Sequence, residues 1–138
     1  MGAEELHTFA NNSVSQVAAL KQLEIIERDK ILDNVNRVGG HIAAGLRDMV
    51  SRYPEIGDIR QVGLHIGIEM IDPNTGAPMC EDKAKAIRSY GMSDNGIIMG
   101  TGGFKKHVLK IKPPLITTMS EADEILERFE GSLKMALR

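Results

Sequence analysis

Apolar side chains recur at helical spacing through the first third of the chain. The pattern runs from Val14 to Ile26 and again from Ile31 to Val50, with the polar stretch Glu27–Lys30 between the two runs. Each run places its apolar residues on one stripe of a helix. Asn12 and Ser13 precede the first run and are residue types that cap helix N-termini. We therefore predict two long helices in succession.

Two glycines interrupt the second helical pattern, and a proline follows it. Gly39 and Gly40 each cost a helix interior about 1 kcal/mol relative to alanine. We expect both glycines to allow close packing against a neighbouring element. Pro54 disfavours helical backbone at the residue before it, so we expect the helix to end there.

The pattern changes to strands and short helices after Pro54. Apolar residues alternate with His65, Gly67 and Glu69 from Leu64 to Met70, as in a half-buried strand. The turn-rich stretch 72–76 closes this strand. The remaining elements follow from the same reasoning. We predict strands at 59–62, 97–99 and 108–111, a glycine-rich connection at 100–103, a helix at 81–90, and a last helix that begins at Ser120 with Asp123 as its capping-box partner.

This order of elements indicates an α+β fold, a small and mainly antiparallel sheet with helices on one face. We divide the chain into a segment at 1–12, two long helices at 13–53, and a small α+β domain at 54–138. The first helix is long for a domain with so little sheet. We expect it to pack against a part of a larger protein.

Composition and charge narrow the classes of function. The net charge is −2 and the basic residues are scattered, so we expect no nucleic-acid partner. No apolar run approaches the roughly 20 residues that span a bilayer, so we expect no membrane partner and a cytoplasmic location. A single cysteine, Cys80, excludes an intrachain disulfide. The four histidines have no metal-ligand spacing with one another or with Cys80, so we expect no metal site.

Five short motifs, in order along the chain, are similar to those of class-III (ω-type) pyridoxal-phosphate-dependent aminotransferases. The first is His7–Asn12, which resembles the family's Thr-Phe-Gly-Gly-Asn-Pro turn. The strand Arg60–Glu69 (RQVGLHIGIE) resembles Arg-x-x-Gly-Leu-x-x-Gly-Ile-Glu. The others are Ala18-Ala19-Leu20, Asn95-Gly96-Ile97-Ile98, and Val108–Leu115 (VLKIKPPL) followed by Thr117. The resemblance covers nearly the whole chain and places it in the C-terminal part of the family's fold, which is that of the fold-type-I enzymes.

The resemblance also implies a cofactor, substrates and a partner. The family uses pyridoxal 5′-phosphate (PLP) to move an amino group between an amino donor and a keto acid, and its members act as homodimers. The family's Schiff-base lysine, the aspartate at the pyridine nitrogen and the stacking aromatic residue all precede the Thr-Phe turn. We therefore expect this chain to lack them, to contain no catalytic residue, and to be inactive alone.

Two residues match positions with a role in the family. Thr8 corresponds to the threonine whose hydroxyl contacts the cofactor phosphate of the neighbouring subunit. A hydroxyl beside backbone amides at a helix start suits a phosphate. This sequence has Ala10 and Asn11 at the family's two glycines and Ser13 at its proline, which changes the chemistry of that turn.

The second residue is Lys110, which corresponds to an arginine that binds the substrate carboxylate. Lysine is a point charge and cannot make the arginine's paired hydrogen bonds. The Lys-x-Lys-Pro-Pro pattern resembles the family's amino-alcohol-phosphate lyases. Lys110 is therefore either a substrate ligand or a strand lysine that faces solvent, and Lys112 is expected to be solvated.

Three hypotheses of function follow from the sequence. The first is a part of a class-III aminotransferase, and the second is a part of a phospho-lyase of the same fold. The third is a non-catalytic α+β module that binds a ligand or partner. The stretch Gly100–Gly103 lacks the Lys-Ser/Thr ending of a phosphate loop, so we interpret it as a connection between strands.

Overall fold

A computed structural model of the protein describes residues 12–138, which belong to two compact units, one ending at Ile31 and the other formed by Leu32–Arg138. The first unit contains helix α1, Ser13–Arg28, as predicted. Asn12 caps this helix, because its side-chain oxygen accepts a hydrogen bond from the Ser15 N–H at 3.0 Å. The apolar side chains of Val14, Val17, Leu20 and Leu23 are all more than half exposed.

The second unit confirms the α+β prediction. Its helices are α2 (Ile31–Met49), α3 (Glu81–Ser93) and α4 (Met119–Ala136), and its strands are β1 (Ile56–Val62), β2 (His65–Met70), β3 (Gly100–Gly102) and β4 (Val108–Ile111). The strands form one sheet in the order β1-β2-β4-β3, and every neighbouring pair is antiparallel.

Strand β2 lies in the interior of this sheet, and its alternation separates a buried face from an open one. Ile66, Ile68 and Met70 have no exposed surface, whereas His65, Gly67 and Glu69 point to the other face. Leu109 and Ile111 of β4 join the buried set. The three helices α2 to α4 complete the core with buried residues of their own: Val38, Ile42, Leu46, Ile87, Phe129 and Leu133.

Glycines set the distance between α2 and the turn that joins β1 to β2. A Cβ atom at Gly39 would lie 2.0 Å from the backbone oxygen of Gly63, so only glycine fits at this contact. Gly63 itself has a φ of 55°, which glycine adopts at little cost. The expected close packing is thus confirmed for Gly39. It is wrong for Gly40, which faces away from the turn and would have nothing within 4 Å of a Cβ.

Two predicted boundaries are wrong for reasons of local hydrogen bonding. Helix α2 ends at Met49, not beside Pro54, because the chain then tightens into turns: the N–H groups of Val50 and Arg52 donate to carbonyls three residues back, those of Arg47 at 3.1 Å and Met49 at 2.9 Å. Helix α4 is capped by Thr118, not Ser120. Thr118 and Glu121 form the capping box, and the hydrogen bonds from the Thr118 N–H and then its hydroxyl lower the pKa of the Glu121 carboxyl.

The third correction concerns the strand predicted at 97–99. Ile97 and Met99 are buried, but the residues that pair with β4 are Gly100–Gly102, which were expected to be the connection. The long side chain of Lys110 in β4 lies over Gly100 and Gly102, and larger residues at these two positions would collide with it. The connection between β3 and β4 is instead the stretch 103–107.

The two glycines of α2 make a matched test of this packing. Gly39→Ala should destabilise the protein by about 1–3 kcal/mol, because the new methyl group cannot avoid the Gly63 backbone. Gly40→Ala should stabilise it by about 0.5–1 kcal/mol, because alanine has the higher helix propensity and meets no neighbour. Urea unfolding followed by circular dichroism measures both. Equal effects of the two substitutions would contradict the packing of α2 on the turn.

Candidate functional site

The open face of the sheet carries one row of four residues, one from each strand. Arg60 of β1 pairs with Gly67 of β2, Gly67 pairs with Lys110 of β4, and Lys110 pairs with Gly100 of β3. Residues paired across antiparallel strands point to the same side of a sheet. The half-buried Lys110 therefore stands between two positions, Gly67 and Gly100, that have no side chain of their own.

The side chain of Lys110 extends over β3. A Cβ at Gly102 would lie 3.1 Å from both the Nζ and the Cε of Lys110, and one at Gly100 would lie 3.5 Å from Cε. Within residues 12–138, no carboxylate forms an ion pair with this amine. The amine therefore lies over the glycines of β3 on the open face, where it can bind a small anion.

The other charged groups of this face form a connected network. The Arg60 guanidinium donates from Nη2 to Oε2 of Glu69 at 2.5 Å and lies 3.4 Å, through Nε, from Oδ2 of Asp58. The second oxygen of Glu69, Oε1, lies 3.4 Å from Nε2 of His107. Asp58 is directly opposite Glu69 in the β1–β2 register, so Arg60 bridges two neighbouring carboxylates.

His107 is the most enclosed member of the network. Its side chain is only 10% exposed, and its Nδ1 atom is buried without a hydrogen-bond partner among the described residues. A hydrogen bond to Glu69 requires a proton on Nε2. The neutral tautomer then leaves Nδ1 as a lone pair, which avoids burying an unpaired donor.

The structure brings together residues that the sequence analysis treated separately. Lys110 was singled out, and it lies at the centre of the face. The motif that contains Arg60 and Glu69 does not itself indicate a contact, but the alternation of β2 and the short turn at 63–64 place the two side chains diagonally on the same face. His107 gave no signal, since it precedes the strand and was considered only as a metal ligand.

A second surface of the same unit is an apolar groove of about 760 Å³ beside α4. Its walls include Ile98, which is 85% exposed, and Ile116, which is 73% exposed. Pro113 and Pro114 shape one side, and Arg128 lies at the other. An exposed apolar surface of this kind commonly marks a protein contact.

A comparison with family models identifies the chain. Residues 3–133 match the model described as aminotransferase class-III. The chain belongs to the class-III aminotransferase family. The solved structures that it resembles include a Bacillus anthracis aminotransferase, with a TM-score of 0.86 and 27% identity over 97% of this chain and 32% of that one. The fold expected from the motif resemblance is thereby confirmed.

The relatives and solved structures that the chain resembles have names that indicate different reactions. It is 32% identical to the mitochondrial alanine–glyoxylate aminotransferase 2 homolog 2 of Arabidopsis thaliana over 92% of this chain and 26% of that protein. It is 37% identical to an alanine/serine racemase of Pyrococcus horikoshii over 96% and 27%. An Arthrobacter phospholyase in complex with phosphoethanolamine has a TM-score of 0.80 and 27% identity over 88% and 28%. The chain spans about a quarter of the length of these relatives.

The family resemblance implies PLP as the cofactor, but the described residues lack the groups that would form its main binding site. Every lysine from position 12 onward is exposed except Lys110, and Lys110 lies on an open sheet face. A cofactor lysine instead needs an enclosed site with groups that orient the ring. Thr8, the residue expected to contact the cofactor phosphate, lies outside the described residues.

No helix from position 12 onward is long and apolar enough to cross a membrane.

Proposed function

We propose that this chain is the C-terminal part of a PLP-dependent class-III aminotransferase that moves an amino group between an amino donor and a keto acid. The family match over residues 3–133 supports this proposal. When bound elsewhere in the intact enzyme, PLP supplies the amino-transfer chemistry. The contribution of this chain is to bind and orient the substrate.

Lys110 is the observation that carries the proposal. Its amine has no ion-pair partner among residues 12–138 and lies over the glycines of β3 on the open face, where a substrate carboxylate can reach it. A carboxylate held there forms a charge-assisted hydrogen bond with the amine. Holding the substrate at one point fixes its position relative to a cofactor bound on the facing domain.

The same proposal gives a role to the apolar surfaces. The exposed side chains of α1 and the groove beside α4 are the surfaces that the larger part of the enzyme would cover. In the intact enzyme we place Thr8 at the cofactor phosphate of the neighbouring subunit, which makes the functional unit a homodimer.

A phospho-lyase is the second candidate, because Lys110 replaces the arginine of the carboxylate-binding aminotransferases. The similarity to the Arthrobacter phospholyase also favours the phospho-lyase hypothesis. A lysine binds a phosphate group as readily as a carboxylate, since it acts as a point charge. The same residue would then hold the phosphate end of an amino-alcohol phosphate.

Substitution of Lys110 tests its role in the intact enzyme that contains this chain. Lys110→Ala should raise the KM for the keto acid about tenfold or more with a smaller change in kcat, because uniform binding of the carboxylate is lost. Lys112→Ala is the matched control, because Lys112 is an exposed lysine that lies one residue after the end of β4. Steady-state kinetics for both substrates measure the effect. An unchanged KM in Lys110→Ala would contradict the proposal.

The choice between the two reactions is a separate measurement on the same intact enzyme. We expect amination of a keto acid with an amino donor and no release of inorganic phosphate from phosphoethanolamine. Phosphate release without keto-acid amination would replace the aminotransferase proposal with the phospho-lyase.

The 138-residue chain should not hold PLP covalently by itself. None of its described lysines lies in an enclosed site, so borohydride treatment in the presence of PLP should give only sparse labelling spread over exposed lysines. Peptide mass spectrometry locates the label. Stoichiometric trapping on one lysine would show that this chain carries the cofactor site after all.

A further inference from the structure

The carboxylate of Glu69 is close enough to form an ion pair with Lys110 but does not do so. Glu69 is opposite Val108, and Lys110 is opposite Gly67, so Glu69 and Lys110 are diagonal neighbours on the same face of the sheet. Diagonal neighbours in an antiparallel pair are close enough for long side chains to meet. A lysine and a glutamate at these positions would ordinarily pair and remove the free cation.

Both oxygens of Glu69 are already engaged. Arg60 donates to Oε2 at 2.5 Å, and Nε2 of His107 lies 3.4 Å from Oε1. Glu69 is also the more enclosed partner, with its side chain 29% exposed against 61% for Arg60. The carboxylate is therefore held between β1 and His107, while the amine of Lys110 lies on the opposite side, over the glycines of β3.

We propose that Arg60 is a positioning residue that, together with His107, holds Glu69 away from Lys110 and so keeps the Lys110 amine free for the anionic end of a substrate. The clamp, defined as Arg60, Glu69 and His107, is a property of this chain. Its value for catalysis rests on the function proposed for Lys110.

Asp58 explains why the clamp needs an arginine. Asp58 and Glu69 are directly opposite each other, and like charges in that arrangement repel. The forked guanidinium of Arg60 reaches both carboxylates at once, from Nε and from Nη2. Without Arg60, we expect repulsion from Asp58 to move Glu69 toward its diagonal neighbour Lys110.

The test measures how readily the Lys110 amine is acylated in the 138-residue chain. A limiting amount of an N-hydroxysuccinimide ester labels the lysines, and peptide mass spectrometry gives the rate at each one. An ion-paired amine reacts more slowly than a free one. Arg60→Met should lower the rate at Lys110 about threefold to fivefold, the scale of an exposed ion pair, and leave the reference Lys112 unchanged.

A double variant separates the clamp from a general loss of structure. In Arg60→Met with Glu69→Gln, the competing carboxylate is gone, so the rate at Lys110 should return to that of the unaltered chain. Arg60→Lys keeps one positive charge near Glu69 and should have an intermediate rate. Amide NMR spectra confirm that each variant is folded, and Arg60→Gln replaces any that is not.

Two outcomes overturn the clamp. One is an unchanged rate at Lys110 in folded Arg60→Met, and the other is a lowered rate that Glu69→Gln fails to restore. Neither outcome bears on the kinetics of Lys110→Ala in the intact enzyme. Failure of the clamp and failure of the proposed substrate role are therefore distinguishable.

Discussion

The two-residue alternation of β2 is the constraint on which the second unit depends, because this strand pairs on both sides. Ile66, Ile68 and Met70 enter the core while Gly67 and Glu69 remain on the open face. A shift of one residue would reverse both sets and bury a carboxylate in place of an isoleucine. The same alternation therefore fixes the packing of the helices and the position of the charged face.

Glycines allow close approach of other groups on both sides of the sheet. On the buried side, Gly39 lets α2 contact the turn at Gly63, which holds the β1–β2 hairpin against the helix. On the open side, Gly100 and Gly102 leave room for the side chain of Lys110 to lie over β3. One residue type thus allows close packing in the core and leaves room for the Lys110 side chain at the candidate site.

Periodicity was sufficient for most of the elements but not for β3 or for the details that make the site. The helices α1 and α2 and the strand β2 follow from their apolar spacing, and Lys110 follows from a motif. The pairing of Gly100–Gly102 could not be predicted because a glycine-rich stretch has no alternation of apolar and polar residues, and the side chain that lies over it comes from β4. The clamp was missed because it joins three separate segments, which only the register of the sheet brings together.

We propose Lys110 as the residue that binds the anionic end of the substrate in the intact enzyme, and Arg60 as the residue that keeps the Lys110 amine available. The most direct measurement is a crystal structure of the intact enzyme with a keto-acid substrate bound. We predict that the substrate carboxylate lies within hydrogen-bonding distance of the Lys110 amine, with Glu69 still on Arg60. A carboxylate bound elsewhere, with Lys110 paired to Glu69 or turned to solvent, would contradict the account.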